Sequence, residues 1–208
     1  MKRILFCLII SSFVSVFTSS CSSDEAESST STSATMIDST GSTVDIDGTF
    51  TNTCTASGTT SSKQSIVISG TSVYYQSVNY EDTSCSTEAL TFKWTYKSLA
   101  NNGSDTVDSK TVTKITFTTV STEITPNSST YTSYANTGSW CSKTDWVEDT
   151  TYDATGVTCT QLTGGTNDAA GVVYYDIWYL SGTSLQTAPS ALTTGYPTSI
   201  DSTIFTKE

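Results

Sequence analysis

Across residues 89–97, large apolar side chains alternate strictly with polar ones. Leu90, Phe92, Trp94 and Tyr96 fall on one parity, and Thr91, Lys93, Thr95 and Lys97 on the other. Successive side chains of a strand point to opposite faces, so a period of two gives one dry face and one wet face. A helix would scatter the same four side chains around its circumference. Residues 111–119 repeat the pattern, with Ile115 and Phe117 set against Lys114, Thr116 and Thr118. Residues 172–180 are apolar on both parities: Val173, Tyr175, Ile177 and Tyr179 on one, Val172, Tyr174, Trp178 and Leu180 on the other, with Asp176 alone among them. Such a strand needs a covering layer on one side and a core or cavity on the other.

Shorter segments follow the same logic. Residues 49–55 read as a first strand containing Phe50, and residues 64–69 and 72–80 as a hairpin about Gly70 and Thr71. Residues 129–134, 138–147 and 157–162 also read as strands. Residues 184–187 follow a turn at Gly182, and residues 202–206 form a closing strand. Residues 56–63, 101–109 and 189–197 read as loops rich in Ser, Thr, Gly, Asn or Pro. Threonine is abundant and suits a pleated surface, whereas strong helix formers are scarce and no long segment repeats with a period of 3.6. The expectation is an all-β antiparallel domain of about eight to ten strands in meander order. An up-and-down barrel is the first choice and a β-sandwich the second, since both hide strand edges.

The amino-terminal residues have a different character. Lys2 and Arg3 precede an uncharged, mostly apolar run over residues 4–17, then Thr18, Ser19, Ser20 and Cys21. This order reads as a secretory signal peptide, and the run is shorter than the ~20 apolar residues of a spanning helix. The Ser20–Cys21 junction resembles the lipobox of bacterial lipoproteins, with Thr18 where that motif usually carries leucine. The resemblance implies removal of residues 1–20 and lipidation of Cys21 with palmitate-type chains. It also implies attachment to a membrane of the bacterial cell envelope. The outer membrane is expected, because Ser22 stands where some bacteria use aspartate to retain lipoproteins at the inner membrane. Residues 21–43 are dominated by Ser, Thr, Asp and Glu and read as a disordered tether, leaving residues 44–208 for the folded domain.

Cysteine counting fits that scheme. Cys7 leaves with the leader and Cys21 takes lipid, so Cys54, Cys85, Cys141 and Cys159 remain to pair. Four cysteines allow three connectivities, and sequence proximity favours Cys54–Cys85 with Cys141–Cys159. Zinc is not expected, as histidine is absent and no CxxC spacing occurs. Loss of Lys2 and Arg3 with the leader takes the formal charge from −11 to −13 and leaves no arginine. Nucleic acid is therefore an unsuitable partner, and membrane contact is expected only through the anchor.

Gly48, Thr49 and Phe50 open the first strand, Cys54 and a hairpin follow, then Tyr80, Glu81, Asp82, Thr83, Ser84 and Cys85. Near the other end, residues 197–201 read Pro-Thr-Ser-Ile-Asp before the final strand. This set is similar to exported lipocalin-like proteins of Gram-negative bacteria, with Phe50 in place of the tryptophan in the Gly-x-Trp opening. The resemblance implies an up-and-down barrel with an internal cavity, and no activity.

No catalytic residue is assigned. A histidine-based triad cannot be drawn, and no metal or cofactor is expected. Asp45 and Asp47 match the DxDGT phosphatase motif but lack its alternating α/β context, so a turn into the first strand is preferred. Asp145, Glu148, Asp149 and Asp153 read as a solvated acidic loop rather than a calcium site. Aromatic residues give the strongest binding signal, and Trp94, Trp140, Trp146, Tyr175 and Trp178 are the candidate ligand-contacting side chains. The expected function is a lipid-anchored envelope binding protein that takes a small apolar ligand or an external protein or glycan partner. The alternatives are a structural envelope lipoprotein without a specific ligand and a carboxylate-dependent hydrolase.

Overall fold

The computed structural model describes residues 33–208; the leader, Cys21 and the first part of the expected tether lie outside the described residues. Strands dominate, and all their pairings are antiparallel. The amino-terminal hairpin pairs β1 (Thr35–Ile37) with β2 (Thr43–Asp45). The main sheet contains β3 (Gly48–Thr51), β4 (Thr55–Ser57), β5 (Thr60–Ser69), β6 (Ser72–Tyr80), β7 (Glu88–Val107) and β8 (Lys110–Pro126). It continues with β9 (Tyr152–Asp153), β10 (Val173–Ser181), β11 (Ser184–Gln186) and β12 (Phe205–Lys207).

Eight of the ten strands close into a ring in chain order: β3, β5, β6, β7, β8, β10, β11, β12 and back to β3. The other two, β4 and β9, pair at the edges of β5 and β8. Closure removes the open strand edges that would otherwise recruit other chains. The up-and-down order expected from the sequence is thus the observed order. The seam is thin, with β12 pairing through two residues to β11 and two to β3.

Alternation sets the inside of the ring. Phe50, Ile66, Ile68, Val73, Ile115, Phe117, Trp178, Leu180, Leu185 and Phe205 form one buried cluster. The β1–β2 hairpin adds Ala34, Met36 and Ile46 to it, and Met36 is fully buried. Order therefore begins earlier than the expected boundary at residue 44. Polar composition concealed it, because Met36 and Ile46 are single apolar anchors in a Ser/Thr/Asp stretch. Asp47 secures this plug: its Oδ1 accepts from the Ala34 N–H at 3.2 Å and the Gly70 N–H at 2.9 Å. Gly70 turns β5 into β6 at φ +55°, a conformation that glycine adopts without a Cβ clash.

Residues 127–172 form an outlying lobe against β7 and β8. Leu90, Phe92, Ile124, Ala135, Cys141, Trp146, Ala154 and Cys159 make its core, with Trp94 and Trp140 packed on it. Three expected strands are corrected here. Residues 129–134 belong to helix α1 (Ser129–Thr137), residues 138–147 hold only a 3-10 turn (Trp140–Ser142), and residues 157–162 run into the short helix α2 (Thr160–Thr163). The start of α1 has a physical cause: the Ser128 side chain accepts from the Tyr131 N–H at 3.2 Å and caps the first turn. Two expected loops are also ordered. Residues 101–109 lie mostly within a long, bulged β7–β8 hairpin, and residues 56–63 turn β4 into β5. Disulfides join Cys54 to Cys85 and Cys141 to Cys159, the pairing favoured by sequence proximity.

Candidate functional site

The plug and the large aliphatic side chains fill one half of the barrel. Beside them lies a cavity of about 520 Å³ that opens to solvent. Its wall is built from inward positions on four neighbouring strands: Gln64 on β5, Tyr75 on β6, Trp94 and Tyr96 on β7, and Phe117 on β8. The next strand of the same wall, β10, pairs with β8 and contributes Tyr174, opposite Phe117, and Asp176. The connection from β11 to β12 supplies the remaining side, including Thr187, Ser190, Asp201 and Thr203, and Asp168 of the outlying lobe completes it.

The aromatic rings are contiguous. Tyr96 lies 4.6 Å from Phe117, 6.0 Å from Tyr75 and 6.3 Å from Tyr174 between ring centroids, and the two tyrosine pairs meet edge to face. Edge-to-face contact aligns ring quadrupoles favourably. The Tyr75 hydroxyl is fully buried, close to the side chains of Trp178 and Thr187. Burial pushes that phenol well above its ordinary range, as it does Tyr96.

Three carboxylates line the cavity, and no lysine does. Asp176 is 3 % exposed. Its Oδ2 accepts from the Trp178 indole N–H at 2.7 Å, and its Oδ1 accepts from the Ile177 N–H at 2.8 Å and the Ala188 N–H at 3.2 Å. Burial disfavours the charged carboxylate and raises it to about 6, against the opposing pull of those donors. Asp168 Oδ2 accepts the Tyr174 hydroxyl proton. Asp201 accepts the Thr203 N–H at 2.6 Å, and that bond holds its carboxyl below the usual range. Nearby lysines sit on other surfaces: Lys93 pairs with Glu123 at 3.4 Å, and Lys114 lies over the Tyr196 ring at 5.6 Å.

Of the five aromatic residues singled out in the sequence, Trp94 lines this cavity. Trp178 is fully buried in the barrel core and reaches the site only through Asp176. Tyr175 lies on the opposite face of β10, where its backbone pairs with Leu192 and its ring meets Tyr196 at 5.3 Å. Trp140 and Trp146 build the outlying lobe, with the Trp146 indole N–H donating to the Trp140 carbonyl at 3.2 Å. The two apolar faces of β10 are thus both explained: core and cavity inside, the β11–β12 connection outside.

Four acidic side chains outside the cavity have structural partners. Asp45 accepts from the Asp47 N–H at 2.7 Å, beside the plug. Glu81 accepts from the cap hydroxyl of Ser128 at 2.6 Å. Asp145 pairs with Lys143 at 2.5 Å, and Asp153 takes the Thr155 N–H at 2.9 Å. Among the described residues no three His, Cys, Asp or Glu side chains are placed to hold a metal ion. No protein-family model matches the chain, and no curated protein matches its sequence.

Proposed function

We propose that this protein is an exported binding protein of a bacterial cell envelope, held by lipid on Cys21, that carries a small, largely apolar ligand inside its barrel. The observation that carries the reading is the half-filled interior. Plug and aliphatic core occupy one part, while another keeps an open space of about 520 Å³ lined by rings and by carboxylate, amide and hydroxyl side chains. That volume falls in the size class of small-molecule sites. A barrel with a purely structural role has no use for such a space, since a few larger side chains would fill it and add stability. The leader, the cysteine after it and two disulfides support a location outside the reducing cytosol.

Native mass spectrometry of the protein purified from its own host tests the ligand. A reproducible non-protein mass is expected, and an empty barrel from several preparations favours a structural envelope role. Metabolic labelling with palmitate tests the anchor separately. Label should enter the wild-type chain and be lost in Cys21→Ala.

A further inference from the structure

We propose that the barrel cavity selects an organic cation, a compact amine or quaternary ammonium with an apolar body, through the faces of Trp94, Tyr96 and Tyr174 and the carboxylates of Asp168, Asp176 and Asp201. This rests on the cavity reading above and assigns its ligand class. Ring faces carry partial negative charge and attract ammonium groups, more strongly where water is excluded. Here four of the rings are in mutual contact around Tyr96, and Trp94 extends the wall.

The charges decide between ligand classes. An anion would meet three carboxylates and no lysine on the cavity wall. A neutral ligand would leave Asp176 facing the cavity without a countercharge. A cation supplies that countercharge, and a buried charge is tolerated when it is paired. Asp176 already receives three donors, yet a carboxylate has about four acceptor sites, so one direction remains for a ligand N–H or a close ammonium. Outside the cavity, the strongly acidic chain draws cations toward the protein as a whole.

The proton on Asp176 gives a second signature. The ionisable groups facing it are Tyr75 from β6, Tyr96 from β7 and Tyr174 on its own strand, with Asp168 and Asp201 also on the cavity wall. All three phenols stay neutral below pH 9, so Asp176 dominates any change near pH 6. A bound cation favours the ionised form, so cation affinity rises between pH 5 and pH 7.

The test uses the full chain and three probes followed by calorimetry and tryptophan fluorescence. They are benzyltrimethylammonium, its neutral isostere neopentylbenzene, and the neutral fluorophore N-phenyl-1-naphthylamine. At pH 7 the cation should bind at least tenfold more tightly than its isostere, and the preference should shrink at pH 5. Asp176→Asn should reduce the cation-to-isostere ratio at least fivefold. Asp168→Asn, at an exposed position, should reduce it in the same direction and guards against misfolding of the buried variant. Uptake of either neutral probe without preference for the cation overturns the cation assignment and leaves the cavity reading standing. Failure of all three probes to bind overturns both.

Discussion

The indole N–H of Trp178 donates to the carboxylate of Asp176 at 2.7 Å, two positions back along the same strand and on the same interior face. A strand places residues i and i+2 on one side, so a single strand carries both a buried acid and the donor that holds it. Trp178→Phe keeps most of the apolar volume and deletes the donor. Hydrogen bonds to charged groups are worth about 1.5–3 kcal/mol, so urea unfolding at pH 7 should show a loss of that order. The loss should be smaller at pH 4.5, where Asp176 is protonated.

Asp176 also sets a pH dependence of stability. Its carboxyl lies at about 6 when folded, against an ordinary value of 3.8. Between those values the folded protein keeps a proton that the unfolded chain has released. Stability contributed by this group therefore falls as pH rises from about 4 to about 6 and stays lower above that, by up to about 3 kcal/mol. Asp38, Asp153 and Asp201 are lowered by hydrogen bonds from their neighbours, so their effects have the opposite sign and lie below this window. Unfolding curves of the wild type across pH 4–7 should show this fall, and in Asp176→Asn the dependence near pH 6 should be lost.

The plug should be essential to the barrel. Met36 is its fully buried anchor, and large-to-small core changes of this kind cost about 2–5 kcal/mol. Met36→Ala should lower stability by that amount in chemical denaturation. A chain starting at residue 44, the domain boundary expected from composition, should be markedly less stable still, because it exposes the Ile46 and Phe50 end of the core.

The two disulfides should be unequal. They close separations of 31 and 18 residues, which in the chain-entropy account corresponds to about 3.7 and about 3.2 kcal/mol. Replacing Cys54 and Cys85 together by serine should therefore cost slightly more global stability. Replacing Cys141 and Cys159 should instead raise hydrogen exchange chiefly in residues 129–163, where that bridge ties the 3-10 turn to α2. Alkylation of the folded, non-reduced protein should label none of these four cysteines.

The sequence made the barrel legible because its evidence is local. Phe92, Trp94 and Tyr96 announce an interior face by parity alone, and the turn at Gly70 announces its hairpin. The outlying lobe was hidden for the opposite reason. Residues 129–137 are Ser, Thr, Tyr, Ala and Asn, residues with weak helix preference, and the helix depends on its cap at Ser128 and on packing against β7 and β8. The site was half legible. Asp176 stood out as the one acid on an apolar strand, whereas Tyr75, Tyr96, Phe117 and Tyr174 converge through the register of neighbouring strands, the last of them through the pairing of β10 with β8 across the intervening lobe. Tryptophans near Cys141 drew attention for their size, and size alone does not separate a lobe core from a cavity wall.

The narrow seam at Phe205–Lys207 has a consequence for how the chain reaches its final form. Until that strand docks, β3 and β11 are bare edges with a whole sheet behind them. Folding must hold such an intermediate apart from its neighbours, because exposed edges template intermolecular pairing. Substitutions at Phe205 should thus appear first as poor yield and aggregates during production, well before any fault shows in the finished protein.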